Sequence, residues 1–301
     1  MDRFDAIRTL IAAVDGGSLS AASRALGMPL PTVSRKVSEL EAHLGTQMVV
    51  RTSRKLLLTD AGQAFVQASR RILNDLEEAE RAASGEYRTP RGELLITAPI
   101  MFGKLHILPV VLEFLRAYPD VNVRLVLADT VVDLIDNHVD VAARLGRLPD
   151  SGLVALRVGE VRWITCASPD YLARRGTPET PADLVAHDCL AFEGLQTSRS
   201  WSFGSGRDNG PIAIRPRLAV NTADALIEAA GAGLGVARMM SYQAAAAVRE
   251  GRLASLLHAY EPEAIPVHLV HTGPPLLPLK LRAFLDFAGP RVRGALASLP
   301  A

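Results

Sequence analysis

Cysteine is scarce in this sequence. Only Cys166 and Cys189 occur among 301 residues, and they form no CxxC spacing. Neither a disulfide framework nor a zinc site is therefore indicated. Because free cysteines are among the most buried residue types, we expect two buried, reduced thiols, with a redox-sensing pair as the alternative.

A long apolar run is also missing. The most apolar stretches, such as residues 223–237, are interrupted by charged residues such as Asp224 and Glu228, so no membrane span is predicted. Residues 1–17 mix charged and apolar side chains and contain no small-residue cleavage site. This pattern argues against a secretory signal and predicts a cytoplasmic protein.

Motifs of the common enzyme classes are absent from the sequence as well. There is no GxSxG, no P-loop and no paired-carboxylate motif, and the glycines of residues 231–235 follow a predicted helix instead of opening one. His268 and His271 lie three apart on a predicted strand and therefore face opposite sides. Residues 187–189 (His-Asp-Cys) lack a second ligand pair. We predict no catalytic residue, no metal site and no cofactor.

Charge is nearly balanced over the chain but is unevenly distributed. The net charge is +1, yet residues 18–59 hold six Lys or Arg against two Glu, a local balance of +4 that leaves −3 elsewhere. Phosphate binding requires such a concentration of positive charge. A chain of 301 residues, 49% hydrophobic and 22% charged, is long enough for two or more domains.

Residues 18–45 predict two short helices joined by a tight turn. Ser18 can cap the first helix and Gly27 can end it. The inner positions of that helix are the small residues Ala21, Ala22 and Ala25, which would let a partner helix cross closely. Inward stripes are predicted on the second helix, at Val33, Val37, Leu40 and Leu44, and on a preceding helix, at Phe4, Ile7, Leu10, Ile11 and Val14.

The opposite face of the second helix is polar and basic, and we interpret it as a DNA-reading surface. A recognition helix presents its N-terminal half to the duplex. In residues 48–59, two apolar runs flank a basic tip, which predicts a hairpin acting as a wing. The predicted DNA contacts are Leu30, Pro31, Thr32, Ser34, Arg35, Lys36, Ser38, Arg51, Arg54 and Lys55. An ordinary amphipathic helix with a solvated face is the alternative.

A long helix is predicted over residues 60–84, with Thr59 as its cap. Its apolar positions alternate spacings of four and three with Ser69 as a polar step, which is typical of a coiled-coil seam. The short DNA module cannot cover so long a stripe, so dimerisation is favoured over packing within the domain. The predicted dimerisation residues are Phe65, Ile72, Leu76 and Ala79.

An ordered set of residues resembles the N-terminal signature of LysR-type transcriptional regulators. The matching residues are Gly17, Ser18, Ala21, Ala22, Ala25, Leu26, Val33, Ser34, Arg35, Leu40, Glu41, Leu44, Gly45, Arg51, Thr52 and 58–62. The resemblance implies a sequence-specific DNA-binding regulator in which a small-molecule effector changes DNA bending and polymerase access. Implied partners are double-stranded DNA, the effector, RNA polymerase and further copies of the chain, as a dimer of dimers. The sequence departs from the family at Leu30, where relatives usually carry a polar residue that contacts a base.

The fold class expected is α/β, with a mostly helical winged helix-turn-helix at the N-terminus. Beyond the hinge, alternating strand and helix patterns predict a parallel sheet with crossover helices. Helices are predicted at 102–118, with Leu105, Leu108, Leu112 and Leu115 inside, and at 130–137. By resemblance, the last strand and helix return to the first subdomain, in a fold like that of periplasmic solute-binding proteins. The predicted domains are 1–59 (DNA-binding), 60–84 (linker), 85–92 (hinge) and 93–301 (effector-binding), the last with subdomain I at about 93–163 and 268–301 and subdomain II at about 164–267.

A ligand crevice is expected beyond the carboxyl ends of the strands. The predicted effector-binding residues are Pro99, Ile100, Met101, Phe102, Asp129, Arg144 and Asn221. Many relatives carry Ser or Thr at the start of the first helix to hold a carboxylate. The apolar residues here predict a larger or less polar effector, or one held by backbone N–H groups. Arg144 is interpreted either as a charge for an acidic ligand or as part of a salt bridge. The alternative function is a small-molecule binding protein whose N-terminal helices serve only for assembly.

Overall fold

The computed structural model describes residues 2–51, 56–84, 89–130, 132–150, 152–193, 200–204, 211–273 and 277–299. The chain divides into two compact units, residues 1–88 and residues 89–301. The basic tip predicted at residues 52–55 and half of the predicted hinge, residues 85–88, lie outside the described residues.

Three helices open the first unit: α1 (Arg3–Asp15), α2 (Leu19–Leu26) and α3 (Leu30–Leu44). The predicted ends of α2 are confirmed. The Ser18 hydroxyl accepts a hydrogen bond from Ala21 N–H at 3.1 Å, and Gly27 ends the helix in the left-handed conformation at φ 62°, which glycine adopts without steric cost.

The core of the first unit follows most of the predicted stripes: Leu10 is buried, and Ile7, Ile11 and Val14 pack against the core. The buried face of α1 is formed by Ala6, Leu10 and Ala13, whereas Phe4 is 43% exposed. Val33, Val37 and Leu40 of α3 are buried as predicted, but Leu44 is 37% exposed because α3 ends there. Of the three alanines predicted inside α2, only Ala22 is buried. Small residues such as Ala6, Ala13 and Ala22 therefore share the core of the helices with larger side chains such as Leu10 and Leu40.

The predicted hairpin and long helix are both present. Strands β1 (Val49–Arg51) and β2 (Leu56–Leu58) pair antiparallel, with Arg51 opposite Leu56. Helix α4 (Asp60–Ser84) follows. Among its described side chains, the buried residues are Gly62, Val66, Ser69 and Leu73, so the predicted seam and the buried line coincide at Ser69. Ile72 is 51% exposed, Phe65 and Leu76 are half-buried, and the side chain of Ala79 lies outside the described residues.

The second unit contains two five-stranded sheets. Its strands, in chain order, are β3 (Gly92–Ala98), β4 (Val121–Leu127), β5 (Val141–Leu145), β6 (Val154–Val161), β7 (Trp163–Ala167), β8 (Cys189–Phe192), β9 (Ser200–Trp201), β10 (Ile212–Ala213), β11 (Pro216–Val220), β12 (Val236–Met240), β13 (Ala254–Leu256) and β14 (Ile265–His271). Its helices are α5 (Ile100–Phe102), α6 (Leu108–Ala117), α7 (Pro169–Arg175), α8 (Ala223–Gly231), α9 (Ser241–Arg249) and α10 (Leu279–Ala297).

The two sheets are mixed. The predicted parallel pairing holds for the first strands of the unit, and antiparallel strands complete each sheet. The first sheet has the order β4-β3-β5-β14-β6 and the second β11-β8-β12-β7-β13. Strand β3 runs parallel to β4 and β5, whereas β14 runs antiparallel to β5 and β6. The return of the last strand to the first sheet, implied by the family resemblance, is confirmed, and helix α10 packs on that sheet through Phe284.

The helical segment 100–117 turns a different face inward from the one predicted. Leu105, Leu108 and Leu112 are 41%, 37% and 48% exposed, while Phe102 and Phe114 are fully buried. The buried positions 103, 106, 107, 110, 111 and 114 follow one helical stripe, which runs through a π-helical turn at Gly103–Ile107. Of the predicted leucines only Leu115 packs against the core. Apolar residues occur on both faces of this segment, so their periodicity could not decide which face is buried.

The helix predicted at 130–137 is not formed. Residues 134–138 make a turn instead. Asp133 Oδ1 caps this turn by accepting the N–H groups of Ile135 and Asp136, each at 2.8 Å. The turn ends at His138, whose φ of 50° lies in the left-handed region and cannot continue a helix.

Both cysteines are buried and free, as expected. Cys166 lies on β7 and Cys189 on β8, and β12 separates these strands in the second sheet. Burial raises the pKa of Cys166 to about 12 and that of Cys189 to about 11. The two thiols pack in different hydrophobic clusters, so they are not placed to form a disulfide.

Candidate nucleic-acid interface and ligand pocket

The start of α3 presents most of its predicted DNA contacts to solvent. Leu30 is 43% exposed, and the Arg35 side chain is 65% exposed. Pro31 and Ser38 are exposed, while Thr32 and Ser34 are half-buried. The side chain of Arg51 and all of residues 52–55, including Arg54 and Lys55, lie outside the described residues.

Arg35 is held along the outer face of α3. Its Nη1 lies 3.1 Å from Glu39 Oε1, an i,i+4 ion pair on an exposed surface. Such pairs contribute only about 0.3–0.5 kcal/mol, so a phosphate or a base edge can displace Glu39 at little cost. The geometry therefore keeps the guanidinium extended and available.

Lys36 does not share this surface. Its side chain is 19% exposed, and Nζ forms an ion pair with the Asp5 carboxylate of α1. Nζ also lies 3.5 Å from Met28 Sδ. These contacts tie α3 to α1, a structural role that the sequence analysis did not anticipate for Lys36.

Glu41 anchors the wing to the recognition helix. Its Oε1 accepts the N–H groups of Met48 at 2.8 Å and Val49 at 3.0 Å. Hydrogen bonds to a carboxylate are about twice as strong as neutral ones. Glu41 appeared in the sequence analysis only as part of a family signature, because nothing in its spacing shows that it reaches the following strand.

The junction between wing and linker helix is equally constrained. Thr59 Oγ1 accepts Gly62 N–H at 2.9 Å and donates to the Gln47 carbonyl at 2.8 Å. Gly62 lies against the backbone of Met48, where an added Cβ would meet the Met48 carbonyl oxygen at 2.0 Å. Arg70 of α4 pairs with Asp15 of α1. Helices α1 and α4 and the wing are therefore joined by several contacts within this unit.

A pocket lies at the carboxyl ends of the parallel strands of the first sheet. It is lined by residues 97–99 at the end of β3, 128–130 after β4 and 143–145 of β5, and its volume is about 160 Å³. Strand β3 lies between the parallel strands β4 and β5. The carboxyl ends of all three strands therefore meet at the same edge of the sheet, with β4 on one side of β3 and β5 on the other. Crevices of this kind are the usual ligand sites of open α/β sheets.

Of the seven predicted effector residues, the pocket contains Pro99, Asp129 and Arg144. Ile100 is 37% exposed and opens the helical segment, and Met101 packs against the cores of both sheets. Phe102 is fully buried and does not line this pocket. Asn221 is exposed after β11 of the second sheet and does not line this pocket. Thr97 and Thr130 were missed, although both follow the pattern of polar residues at strand ends.

The two charged groups of the pocket are already engaged. Asp129 Oδ1 accepts Ile100 N–H at 3.0 Å. Arg144 donates from Nη2 to the Val132 carbonyl. Burial lowers the pKa of Arg144, and the charge of Asp133 opposes that shift.

An aromatic cluster joins the two subdomains beside this pocket. Tyr242 of α9 meets Phe102 edge-on with ring centroids 5.4 Å apart, and His106 at 5.6 Å. Burial lowers the pKa of His106. Burial also raises the pKa of Tyr242, and the charge of Asp129 adds to that shift. Edge-to-face pairs of this kind contribute about 0.5–1.5 kcal/mol beyond area burial. No sequence signal pointed to Tyr242, which is 113 positions from Asp129.

Within the described residues, no group of three or more His, Cys, Asp or Glu side chains is placed to hold a metal ion. No helix in that part of the chain is both long and apolar enough to cross a membrane.

Comparison with known proteins decides the family. Residues 4–63 match the family described as bacterial regulatory helix-turn-helix protein, lysR family, and residues 88–293 match the LysR substrate binding domain. The chain belongs to the LysR family of transcriptional regulators. Its DNA-binding helix-turn-helix and effector-binding domain are those of that family, and the predicted fold class is confirmed.

Relatives of this LysR regulator cover nearly its whole length. An HTH-type transcriptional regulator of Xanthomonas campestris is 36% identical over 91% of this chain and 81% of that protein. The regulator CrgA of Neisseria meningitidis is 32% identical over 93% of this chain and 94% of its own. Among solved structures, CrgA matches with a TM-score of 0.62 at 29% identity, covering 96% of this chain and 98% of its own. The Vibrio cholerae virulence activator AphB matches with a TM-score of 0.60 at 26% identity, covering 94% and 97%.

Proposed function

We propose that this LysR regulator binds a two-fold operator as an assembly of dimers and responds to a small effector held at the pocket of residues 97–99, 128–130 and 143–145. The proposal of DNA binding rests on the exposed face of α3 around Arg35, which lies in the region of net charge +4, residues 18–59. Acting on chromosomal DNA, the protein would work in the bacterial cytoplasm.

In this proposal the start of α3 enters the major groove. Leu30, Thr32, Ser34, Arg35 and Ser38 would face base edges, while Arg51, Arg54 and Lys55 of the wing would reach the backbone or minor groove. Lys36 is left out of the base-reading set because Asp5 holds its ammonium group. Because Leu30 supplies an apolar contact where relatives have a polar one, we expect a thymine methyl group to suit that position.

Pairing of α4 with its copy would place two recognition helices on successive major grooves. The exposed Ile72, with Phe65 and Leu76 on the same side of the helix, supports this assignment. The pairing of dimers into a tetramer rests on the family.

Effector control would act through the two subdomains. An effector shifts their arrangement only by binding one arrangement more tightly than the other. The pocket suits this role because the Phe102 and Tyr242 rings, one from each subdomain, meet beside it. A changed arrangement would alter the spacing of the DNA-binding units, hence DNA bending and access of RNA polymerase.

The proposal is tested by fluorescence anisotropy with labelled DNA from upstream of the gene for this chain. Wild type, Arg35→Ala and the control Arg116→Ala, an exposed arginine of α6, are titrated over a salt series. Arg35→Ala should cost about 1–3 kcal/mol on the operator and relax discrimination, while Arg54→Ala should weaken all sequences alike and lower the salt slope by about 1. Equal loss on operator and random DNA for Arg35→Ala would count against base reading. Binding no better than to random DNA would favour a helical module used only for assembly.

A further inference from the structure

Asp129 places a carboxylate of the protein itself at the start of the helical segment 100–117. Its Oδ1 accepts Ile100 N–H at 3.0 Å. The start of a helix favours an anion, because unpaired N–H groups and the helix dipole act together there. In this regulator that position is filled from within the chain, so an effector carboxylate would have to displace Asp129 or approach it against like charge.

The positive charge of the pocket, that of Arg144, is compensated by a carboxylate other than Asp129. Arg144 donates from Nη2 to the Val132 carbonyl and lies near enough to Asp133 for that carboxylate to stabilise its charged form. A helix start, by contrast, supplies only about half an elementary charge against the full charge of Asp129. Among the described residues Asp129 makes no ion pair, whereas Arg144 has the Val132 carbonyl and the charge of Asp133. The charge that a ligand can still compensate in the pocket is therefore that of Asp129.

Asp129 also has hydrogen-bonding capacity to spare. A carboxylate offers about four acceptor positions, and Ile100 N–H uses one of them. The pocket volume, about 160 Å³, is close to that of an engineered protein cavity of about 150 Å³ that binds benzene. A ligand group of roughly one six-membered ring with a short polar arm would fit.

We infer that the effector presents a cationic group, such as a protonated amine, to Asp129, and that this pocket selects against carboxylates. The inference rests on the proposed effector role of the pocket and names the chemical class of its ligand. It replaces the expectation of an apolar effector or one held by backbone N–H groups, because the Ile100 N–H already has an acceptor.

The test is isothermal titration of the full-length protein with benzylamine, benzyl alcohol and benzoate, which share one ring and differ in charge. Wild type should bind benzylamine at least about tenfold more tightly than benzoate, with benzyl alcohol between them. In Asp129→Asn the amide oxygen can still accept Ile100 N–H while the charge is gone, so the preference should fall to about onefold. Asp170→Asn, the same change in the exposed first turn of α7, serves as control and should keep the wild-type preference.

Three results would overturn the inference: benzoate binding to wild type as tightly as benzylamine, an amine preference that survives in Asp129→Asn, or no saturable binding of any probe up to about 10 mM. The operator titration is run on the same preparations. Specific DNA binding without an amine preference sinks the ligand class and leaves the proposed DNA function standing. An amine preference without specific DNA binding supports the ligand class and counts against the proposed DNA function.

Discussion

Glu41 Oε1 accepts Met48 N–H at 2.8 Å and so fixes the first strand of the wing to the recognition helix. The same oxygen takes Val49 N–H at 3.0 Å. One side chain of α3 therefore contributes to the orientation of the wing relative to that helix. In the proposed function α3 and the wing contact the duplex together, so DNA binding would depend on that orientation.

Replacing Glu41 with Ala should loosen the wing. Two backbone N–H groups lose a charged acceptor, a loss of about 2 kcal/mol in local stability. Hydrogen exchange at the Met48 and Val49 amides should accelerate accordingly, and DNA affinity should fall on all sequences. Glu41→Gln keeps an acceptor oxygen and should lose less than about 1 kcal/mol. Unchanged exchange at both amides in Glu41→Ala would contradict the assignment. Glu179→Ala, at an exposed position of the second unit, is the control.

The Lys36 and Asp5 pair gives a second prediction. Lys36→Met keeps the apolar stem and removes the charge, and Asp5→Asn removes the partner. Because the pair joins two helices and is partly exposed, each change should reduce the free energy of unfolding by up to about 1 kcal/mol. The double variant should lose little more than either single one. Urea unfolding followed by circular dichroism measures this cycle.

The DNA titration then separates the two roles of Lys36. If Lys36 pairs with Asp5 and does not contact phosphate, DNA binding by Lys36→Met should have the same salt slope as wild type within error. A drop of about 1 in that slope would show that Lys36 contacts phosphate after all.

Ile72 carries the prediction for assembly. It is 51% exposed on a long amphipathic helix, and a charge there should be excluded from a paired seam. Sedimentation equilibrium should show that Ile72→Glu lowers the mass of the assembly, while Gln67→Glu, the same charge at another exposed position of α4, leaves it unchanged. An unaltered mass for Ile72→Glu would remove α4 from the interface.

Local chemistry explains which parts of the fold could be predicted. Ser18 and Gly27 were placed correctly because capping depends on residues within one helical turn. The inward face of 100–117 was wrong because both faces of this segment carry apolar residues, and periodicity alone cannot choose between two apolar faces. The bond from Ile100 to Asp129 spans 29 positions, and no spacing rule predicts a side chain reaching between two loops. The pocket was located by the strand-end rule, whereas its charge balance required the coordinates.

Gly62 and Gly294 form a matched pair for testing close packing. An alanine Cβ at Gly62 would lie 2.0 Å from the Met48 carbonyl oxygen, whereas nothing lies within 4 Å of one at Gly294. Gly62→Ala should therefore lose about 2 kcal/mol or more, because backbone at the wing junction must move. Gly294→Ala, inside α10, should gain up to about 1 kcal/mol from helix propensity. Thermal unfolding of both variants measures whether the two changes in stability have opposite signs. An unchanged stability of Gly62→Ala would show that the backbone at the wing junction can move at no cost.

The thiols provide a prediction that depends on pKa. Burial raises the pKa of Cys166 to about 12 and of Cys189 to about 11, so the reactive thiolate is rare at neutral pH. In the native protein both thiols should react with a disulfide reagent far more slowly than in denaturant, where both should react completely. Because they lie on strands separated by β12, oxidant should leave operator affinity unchanged, and the double variant Cys166→Ala with Cys189→Ala should behave as wild type toward oxidant. Loss of operator binding in oxidant that this double variant abolishes would show that the cysteines act as a redox sensor.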